Sequence, residues 1–403
     1  MAMNPGLFED QRLTLKASIE LTAESLNAYA LRYRHWAIAF SGGKDSTAAV
    51  TLVAHLIETG AIPAPKSLTV LYADTRMEIT PLHISAMKVL AELRERGIET
   101  RIVLPAIDDR FFVYMFGRGV PPPKNRFRWC TAQIKIEPML NALRGLREAV
   151  GEKLLMLTGV RLGESVARDA RIALSCSRDG AECGQGWFQE STPEAVADTL
   201  APILHWRVCN VWAWLTAHAP GLGFPTTAVA VAYGGDEAAE INARTGCMGC
   251  PLASKDTALT AVIRQPEWSH LAPLLRLRPL YDFLTFDHSN RIRKAGAELN
   301  KDGSTAKNPQ RVGPLTMEAR LHGLATVLTI QAEVNAAAVD LGRPSIDILN
   351  SEEEARIHQL IEANTWPDGW AGTEPTGDAL LDKVFADGLV QPLLADLGEG
   401  GEL

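Results

Sequence analysis

Short apolar runs alternate with helical patterns along the first part of the chain. Four runs have the length and composition of strands buried on both faces: residues 35–40, 67–73, 100–104 and 154–159. Between them, residues 46–58 and 81–96 place apolar side chains at helical spacing, and Gly97 ends the second of these helices. Strands that alternate with helices in this way predict an α/β fold with a parallel sheet covered on both faces.

Helical patterns also flank this α/β region. Residues 8–33 contain no proline or glycine and space their apolar side chains as a helix does. More helical segments are predicted between residues 253 and 338, followed by a helix and a loosely held tail. We therefore predict an N-terminal helix, an α/β domain, a helical region and an acidic segment, divided as 1–33, 34–255, 256–350 and 351–403.

Charge is distributed unevenly along the chain. The formal net charge is −8, but residues 351–403 hold twelve acidic side chains and only Arg356 and Lys383 as basic ones. Residues 1–350 therefore carry about +2, so the net charge does not exclude a nucleic-acid partner. No apolar run is long enough to span a bilayer, and the first six residues lack the basic and apolar parts of a signal peptide. We expect a cytoplasmic protein without a membrane partner.

A glycine-rich loop between the first predicted strand and its helix carries the clearest chemistry. Backbone N–H groups and the positive end of the helix meet there, which favours phosphate binding. The glycines permit close approach, the serines donate hydroxyl hydrogen bonds, and the lysine offsets phosphate charge. The G-x-x-x-x-G-K-S/T loop is excluded, because Ile38 stands at its first glycine position and an aspartate follows the lysine. The loop consists of Ser41, Gly42, Gly43, Lys44, Asp45 and Ser46.

These six residues resemble the S-G-G-x-D-S signature of the PP-loop ATP pyrophosphatases, which have an adenine nucleotide alpha-hydrolase-like fold. The resemblance implies that ATP is cleaved between its α and β phosphates, which leaves AMP on an acceptor and releases pyrophosphate. It also implies Mg²⁺, which offsets charge on the leaving pyrophosphate. Catalytic roles then belong to Lys44, Asp45 and Arg161.

Two further stretches resemble the phosphoadenylylsulfate (PAPS) reductase branch of that family. Residues 72–75 read Y-A-D-T at the end of the second predicted strand, and residues 159–168 read G-V-R-L-G-E-S-V-A-R after the fourth. From the residues alone, the first stretch equally suits a helix cap, and the arginines of the second suit a solvated surface. The resemblance instead assigns nucleotide contacts to Asp74, Thr75, Gly159, Arg161, Glu164, Ser165 and Arg168.

Six cysteines, all before residue 251, suggest a metal site rather than disulfides in a reducing compartment. Cys130, Cys247 and Cys250 lie in segments that resemble the cluster-binding segments of iron–sulfur adenylylsulfate (APS) reductases, although Trp129 replaces one cysteine of that pattern. The resemblance implies a [4Fe-4S] cluster. Zinc suits the same thiolates, and metal-free cysteines are a further option. The fourth ligand is absent or is one of Cys176, Cys183 and Cys209, the last of which reads as a core residue.

Residues 126–135 read R-F-R-W-C-T-A-Q-I-K, a string that resembles the DndC-like proteins of DNA phosphorothioation systems, their SspD relatives, and CysH-like proteins of type IV CRISPR loci. This resemblance implies adenylation of a DNA backbone phosphate. Sulfur then arrives from a cysteine desulfurase, and other defence-system subunits are further partners. A basic, proline-rich loop at residues 117–128 and the later basic residues either contact a polyanion or form ordinary charged surface: Arg264, Arg276, Arg278, Arg291, Arg293 and Lys294.

Three alternatives to DNA adenylation stay open. Residues 251–403 contain no cysteine, which argues against a reductase with a nucleophilic cysteine in its C-terminal tail. A reductase of APS or PAPS that uses an external thiol is compatible with the sequence, and so is a tRNA thiolation enzyme. A nucleotide-binding accessory subunit that never turns over is the non-enzymatic alternative.

Overall fold

The predicted strands form one sheet in the computed structural model of the protein. It contains β1 (His35–Phe40), β2 (Ser67–Ala73), β3 (Glu99–Val103), β4 (Leu154–Leu157), β5 (Trp187–Gln189) and β6 (Ala197–Ala201) in the order β3-β2-β1-β4-β6-β5. All neighbouring pairs are parallel except β5 with β6. The predicted α/β fold with a parallel sheet is confirmed.

The structure describes residues 13–163, 169, 187–189, 195–233, 247–253, 255–296, 298, 300, 302–304 and 306–393. The chain divides into two compact units. The sheet unit comprises Met1–Pro105, Thr131–Cys247 and Thr257–Gln265. The second unit, here the C-terminal unit, comprises Ala106–Cys130, Met248–Asp256 and Pro266–Leu403.

Helices account for much of both units. In chain order they are α1 (Leu15–Ala30), α2 (Lys44–Glu58), α3 (Thr80–Glu95), α4 (Trp129–Thr131), α5 (Glu137–Val150), α6 (Val208–Ala213), α7 (Ala219–Gly221), α8 (Thr227–Ala232), α9 (Thr257–Ile263), α10 (Leu277–Phe286), α11 (Met317–Asp340) and α12 (Ser351–Glu362). None of the described helices is long and apolar enough to cross a membrane.

The main core of the sheet unit lies around β1 and α2. The strand is almost wholly buried, and α2 buries twelve of its fifteen residues, including its polar first turn. Fully buried aliphatic side chains of this kind contribute about 1.5–3 kcal/mol each relative to exposure. This core therefore fixes where the carboxyl end of β1 meets the first turn of α2.

The leading helix is shorter than its sequence pattern suggests. Thr14 caps α1 by accepting a hydrogen bond from Ala17 N at 3.2 Å, and the helix ends at Ala30. Thr22 and Ser25 are buried in α1, where the Thr22 hydroxyl accepts from Trp206 Nε1 at 2.9 Å. Polar contacts thus supplement the apolar stripe that predicted the helix.

The C-terminal unit contains strands where the sequence predicted helices. Strands β7 (Arg291–Arg293) and β8 (Val312–Leu315) pair antiparallel, and β9 (Lys383–Val384) pairs with β10 (Val390–Gln391). Residues 291–293 read R-I-R, so no apolar run marks β7. Pro314 weakens any strand pattern in β8, because proline cannot donate a ladder hydrogen bond. The prediction of helical segments from residue 253 through residue 338 was therefore wrong at β7 and β8.

Candidate nucleotide-binding site

The loop at residues 41–46 connects β1 to α2 and is held in shape by its own polar groups. Gly42 has φ +71°, and a Cβ there would lie 2.9 Å from Ala86 Cβ, so both backbone conformation and space favour glycine. Ser41 Oγ and Ser46 Oγ are 3.1 Å apart, and Ser46 Oγ donates to Gly43 O at 3.0 Å. The loop therefore turns the chain directly into the first turn of α2.

A cavity of about 640 Å³ lies at the carboxyl edge of the sheet unit. Its volume is in the range of roughly 300–1,000 Å³ that is usual for small-molecule sites. Polar lining comes from the loop, from the end of β4 and from Thr131, Lys135 and Tyr233, and apolar lining comes mainly from α5. The lining includes Phe40, Ser41, Gly43, Lys44, Asp45, Ser46, Met139, Leu143, Thr158, Gly159 and Tyr233.

Lys44 and Asp45 line this cavity, and Arg161 is buried in contact with Asp45. Arg161 Nε donates to Asp45 Oδ1 at 2.5 Å, and Lys44 Nζ lies 3.2 Å from Asp45 Oδ2. The second guanidinium contact is from Arg161 Nη1 to Trp206 O at 3.1 Å. One carboxylate thus holds two cations, and the formal charges of the three groups sum to +1. Buried next to the positive end of α2, this arrangement favours an anionic ligand.

Tyr233 supports the lysine and was not identified from the sequence. Its hydroxyl accepts a hydrogen bond from Lys44 N at 3.1 Å, and Lys44 Nζ lies 5.1 Å from the centre of its ring. A cation over an aromatic face is stabilised by about 0.5–2 kcal/mol. The two residues are far apart in the chain, so no local pattern indicates the contact.

The end of β4 approaches the loop at Gly159. A Cβ at that position would lie 2.7 Å from Ser46 N and Ser46 Cα, so any larger residue would displace the loop backbone. Beside it, Thr158 Oγ1 is buried at the cavity and makes no hydrogen bond to any residue that the structure describes. A buried hydroxyl without a partner is costly, which favours a ligand that bonds to it. Sequence reasoning missed Thr158.

The D-T pair after β2 forms a turn beside the cavity rather than part of its described lining. Asp74 Oδ1 accepts from Arg76 N at 2.9 Å, and Thr75 Oγ1 donates to Glu78 Oε1 at 2.7 Å. Arg76 has φ +63°, a conformation that few residues other than glycine adopt. Nucleotide contact by Asp74 and Thr75 stays a prediction.

Glu78 is the second carboxylate of this turn. Burial raises the pKa of Glu78, the neighbouring charge of Asp74 raises it further, and the hydrogen bonds from Thr75 act in the opposite direction. Its Oε2 atom makes no hydrogen bond to a described residue. The turn therefore keeps a carboxyl group that is more easily protonated than usual.

Several predicted site residues lie outside the described residues: Glu164, Ser165, Arg168, Cys176 and Cys183. Within the described residues, no group of three or more His, Cys, Asp or Glu side chains could hold a metal ion. Cys247 belongs to the sheet unit, whereas Cys130 and Cys250 belong to the C-terminal unit, so this donor set stays a prediction. Cys209 is exposed, so its assignment to the core was wrong. It lies in α6, a helix that buries Asn210, Val211 and Trp212 instead.

Residues 35–220 match the family model of the phosphoadenosine phosphosulfate reductase domain. The matched segment is thus similar to that domain. It contains the sheet, the loop at residues 41–46 and Arg161, whereas Tyr233 and the C-terminal unit's helices and strands from α10 onward lie beyond it. The domain match covers slightly less than half of the chain.

A curated relative also matches part of the chain. It is an uncharacterized protein of Methanocaldococcus jannaschii, 26% identical over 176 residues, which are 44% of this chain and 34% of that protein. The matched segment thus spans only about a third of the relative's length.

Solved structures with partial similarity include two enzymes. One is the phosphoadenylyl-sulfate reductase of Candida auris, 14% identical, with a TM-score of 0.32 over 53% of this chain and 94% of the reductase. The other is the U34-tRNA thiolase NcsA of Methanococcus maripaludis with its [4Fe-4S] cluster, 15% identical, with a TM-score of 0.35 over 67% of this chain and 76% of the thiolase.

Proposed function

We propose that this protein is an ATP pyrophosphatase that binds ATP at the loop of residues 41–46 and transfers AMP to an acceptor for sulfur transfer. The observation that carries the proposal is the position of the loop. It follows a central parallel strand, opens α2 and lines the 640 Å³ cavity. In parallel α/β sheets, ligands bind outside the carboxyl ends of the strands, and helix N-termini bind phosphate.

The charged residues at the cavity suit phosphate transfer without a side-chain nucleophile. Lys44 and Arg161 supply positive charge, and Asp45 fixes both cations in place by accepting from one and pairing with the other. In the proposed reaction an acceptor oxygen forms a bond to the α-phosphorus while the bond to the bridging oxygen breaks. Pyrophosphate leaves with the electron pair, so fixed positive charge stabilises the departure.

The proposed acceptor is a DNA backbone phosphate. Its non-bridging oxygen is a poor leaving group, and attachment of AMP converts that oxygen into a good one. The terminal sulfur of a cysteine desulfurase persulfide would then form a bond to the DNA phosphorus while AMP leaves, in a cytoplasmic defence system with further subunits. An external thiol would cleave the remaining S–S bond, which leaves the phosphorothioate and a disulfide. The resemblance of residues 126–135 to the DndC-like proteins supports this choice of acceptor.

A second candidate is the reduction of a sulfonucleotide such as APS or PAPS. The match of residues 35–220 to the PAPS reductase domain favours it. Such an enzyme would need an external thiol, because residues 251–403 contain no cysteine. Both candidates place an adenine nucleotide on the same loop and differ in the bond that is broken.

The described residues offer poor ligands for the implied metals. Asp45 is the one carboxylate among the described lining residues of the cavity, and it already pairs with two cations. Mg²⁺ would therefore arrive with the triphosphate rather than bind a dedicated protein site. A [4Fe-4S] cluster or zinc finds no donor set among the described residues. The proposed adenylation needs neither of them.

Isotope exchange between pyrophosphate and ATP tests the proposal. We expect exchange that depends on DNA and disappears in Lys44→Ala, because that variant loses the buried cation beside the loop. Lys16→Ala is the matched control, since Lys16 is exposed in α1 and its side chain is 87% accessible. Exchange in the control should equal that of the unchanged protein.

The acceptor is identified by parallel reactions with DNA, with tRNA, and with APS or PAPS plus a thiol. AMP formation that requires DNA supports the proposed acceptor. Sulfite release from the sulfonucleotide, without exchange, would replace the proposal with the reductase. No pyrophosphate exchange with any acceptor, or full exchange in Lys44→Ala, would overturn the catalytic assignment of the loop.

A further inference from the structure

The C-terminal unit has a pocket of its own. Its volume is about 360 Å³, and it is formed by the basic proline-rich loop, by β7 and β8, and by the segment around Trp370. Three basic side chains line it, namely Lys124, Arg291 and Arg311. Nothing in the PAPS reductase-family domain match accounts for β7, β8 or Trp370, which follow residue 220.

Arg291 is the feature of this pocket that needs an explanation. Only 5% of the residue is exposed, and its Nε donates to Gly313 O at 2.5 Å. Among the described residues, its guanidinium makes no other hydrogen bond and no ion pair. Burial lowers the pKa of Arg291 to about 10, which reflects a charge kept from water without compensation. Proteins rarely bury a charge unless a partner or a ligand neutralises it.

A second buried arginine of the same unit shows how a structural guanidinium is normally satisfied. Arg320 is fully buried in α11, and burial lowers its pKa to about 10 as well. Its three nitrogens donate to the carbonyl oxygens of Phe116, Gly117 and Thr365. Arg320 therefore needs no ligand, whereas Arg291 has donors left that line an open pocket.

The other charges of the pocket do not compensate Arg291. The nearby carboxylate of Glu298 is already paired with Arg311, which donates two hydrogen bonds to it at 2.5 and 2.7 Å. Lys124 pairs with no carboxylate among the described residues, and both burial and the charge of Arg291 lower the pKa of Lys124. Two cations of the pocket thus lack a counter-ion in the described part of the chain.

Aromatic side chains lie next to these cations. Phe127 lines the pocket and is 50% exposed, so part of its ring is accessible from solvent. Trp370 forms another wall and is itself covered by Lys294, at 4.1 Å from its ring centre. An accessible ring beside a cationic pocket suits a nucleotide, whose base stacks on aromatic faces while the phosphate meets the arginine.

We infer that this pocket binds a nucleotide phosphate, with Arg291 and Lys124 as the anion-binding groups and Phe127 as a stacking surface for the base. A phosphate matches two uncompensated cations better than a carboxylate does, and a guanidinium can hold two of its oxygens at once. The nucleotide is either free or part of a single strand of nucleic acid. The inference does not depend on ATP turnover at the loop of residues 41–46.

The test is calorimetric titration of the full-length Lys44→Ala protein, in which the loop no longer contributes its buried cation. Thymidine 5′-monophosphate and a short oligothymidylate are the probes, and acetate is the carboxylate control. We expect saturable binding of at least one phosphate probe and none of acetate. Arg291→Met should weaken that binding by about tenfold or more, since it removes a charge-assisted contact. Arg276→Met is the matched control, because Arg276 is exposed and pairs with Glu333.

The melting temperature without ligand separates a binding role from a structural one. We expect Arg291→Met to melt close to the temperature of the parent protein, because removal of an uncompensated buried charge offsets the loss of the hydrogen bond to Gly313 O. Lys124→Met, at an exposed position, should weaken binding without any change in melting.

Each result has a defined meaning for the pocket. Binding of the monophosphate and the oligonucleotide with equal affinity indicates a free nucleotide, and preference for the oligonucleotide indicates a strand. The inference is overturned if neither phosphate probe binds, if acetate binds equally, or if binding is unchanged in both Arg291→Met and Lys124→Met. A large loss of melting temperature in Arg291→Met, with binding unchanged in Lys124→Met, would assign Arg291 a structural role instead.

Discussion

The cavity of the sheet unit and the pocket of the C-terminal unit both contain a buried arginine, but the two arginines differ in their partners. Arg161 is bonded to Asp45 at 2.5 Å and to a carbonyl oxygen, so its charge is largely compensated within the protein. Arg291 has one carbonyl partner and no carboxylate among the described residues. The first site is organised before any ligand arrives, whereas the second is completed by its ligand.

This difference bears on what each site can do. A preorganised set of charges suits catalysis, because it need not rearrange when charge develops on a leaving group. An uncompensated cation suits binding, because the ligand removes an electrostatic penalty that the free protein carries. Substitutions that leave buried groups without their partners, as at Asp45 or Arg320, should therefore lower stability, whereas substitution of Arg291 should mainly weaken ligand binding.

The largest expected loss of stability follows substitution of Arg320, the arginine of the C-terminal unit whose nitrogens donate to three carbonyl oxygens. Arg320→Met leaves three buried carbonyl oxygens without donors, and each such loss costs about 1–3 kcal/mol. We expect the free energy of unfolding to fall by about 4 kcal/mol. Denaturant titration of Arg320→Met beside Arg291→Met measures the contrast. Equal destabilisation of the two variants would contradict the difference in hydrogen-bond partners between Arg320 and Arg291.

An intermediate effect is expected at Asp45, which compensates both cations of the sheet unit. Asp45→Asn removes the negative charge and leaves Lys44 and Arg161 buried without it. Breaking a buried ion pair lowers the free energy of unfolding by about 3–5 kcal/mol. Because the asparagine oxygen can still accept a hydrogen bond from Arg161, we expect a loss of about 3 kcal/mol. Added pyrophosphate should restore part of the lost melting temperature, because it supplies the missing negative charge. If Asp45→Asn is as stable as the parent protein, Asp45 does not compensate the charges of Lys44 and Arg161.

The smallest effect concerns Glu78 and its pH dependence. Burial raises the pKa of Glu78 above its ordinary value of 4.5, so the folded state binds its proton more tightly than the unfolded state. This contribution to stability is full below pH 4.5 and is lost as the pH rises through the folded pKa. Glu78→Gln keeps an oxygen that can accept from Thr75 and carries no charge. Its melting temperature should therefore match or exceed that of the parent at neutral pH, and depend less on pH in mildly acidic solution.

Local patterns in the sequence determined the elements of the sheet unit. The strands at residues 35–40 and 67–73 occur as predicted, because a strand buried on both faces requires a continuous apolar run. The loop at residues 41–46 was recognised for a similar reason, since its glycines and the helix that follows are neighbours in the chain. The first turn of α2 begins at Lys44, two residues earlier than predicted, because Gly43 serves as its cap.

Sequence reasoning failed where the decisive partner is distant in the chain. Strand β7 consists of alternating arginines around Ile292 and exists because it pairs with β8, some twenty residues away. Cys209 was assigned to the core, but the helix that carries it turns its neighbours inward and leaves it exposed. The contact of Tyr233 with Lys44 is equally invisible in the sequence.

The sequence by itself determined the α/β class, the place of the glycine-rich loop between β1 and α2, and the candidate cations, because these depend on residue type and on spacing within a few positions. Tertiary structure alone decided which cations are compensated. Lys44, Arg161, Arg291 and Arg320 read alike as basic residues, and only their buried surroundings distinguish them. The physical reason is that the free energy of a buried charge depends on the partners that the fold brings to it, not on its neighbours in the chain.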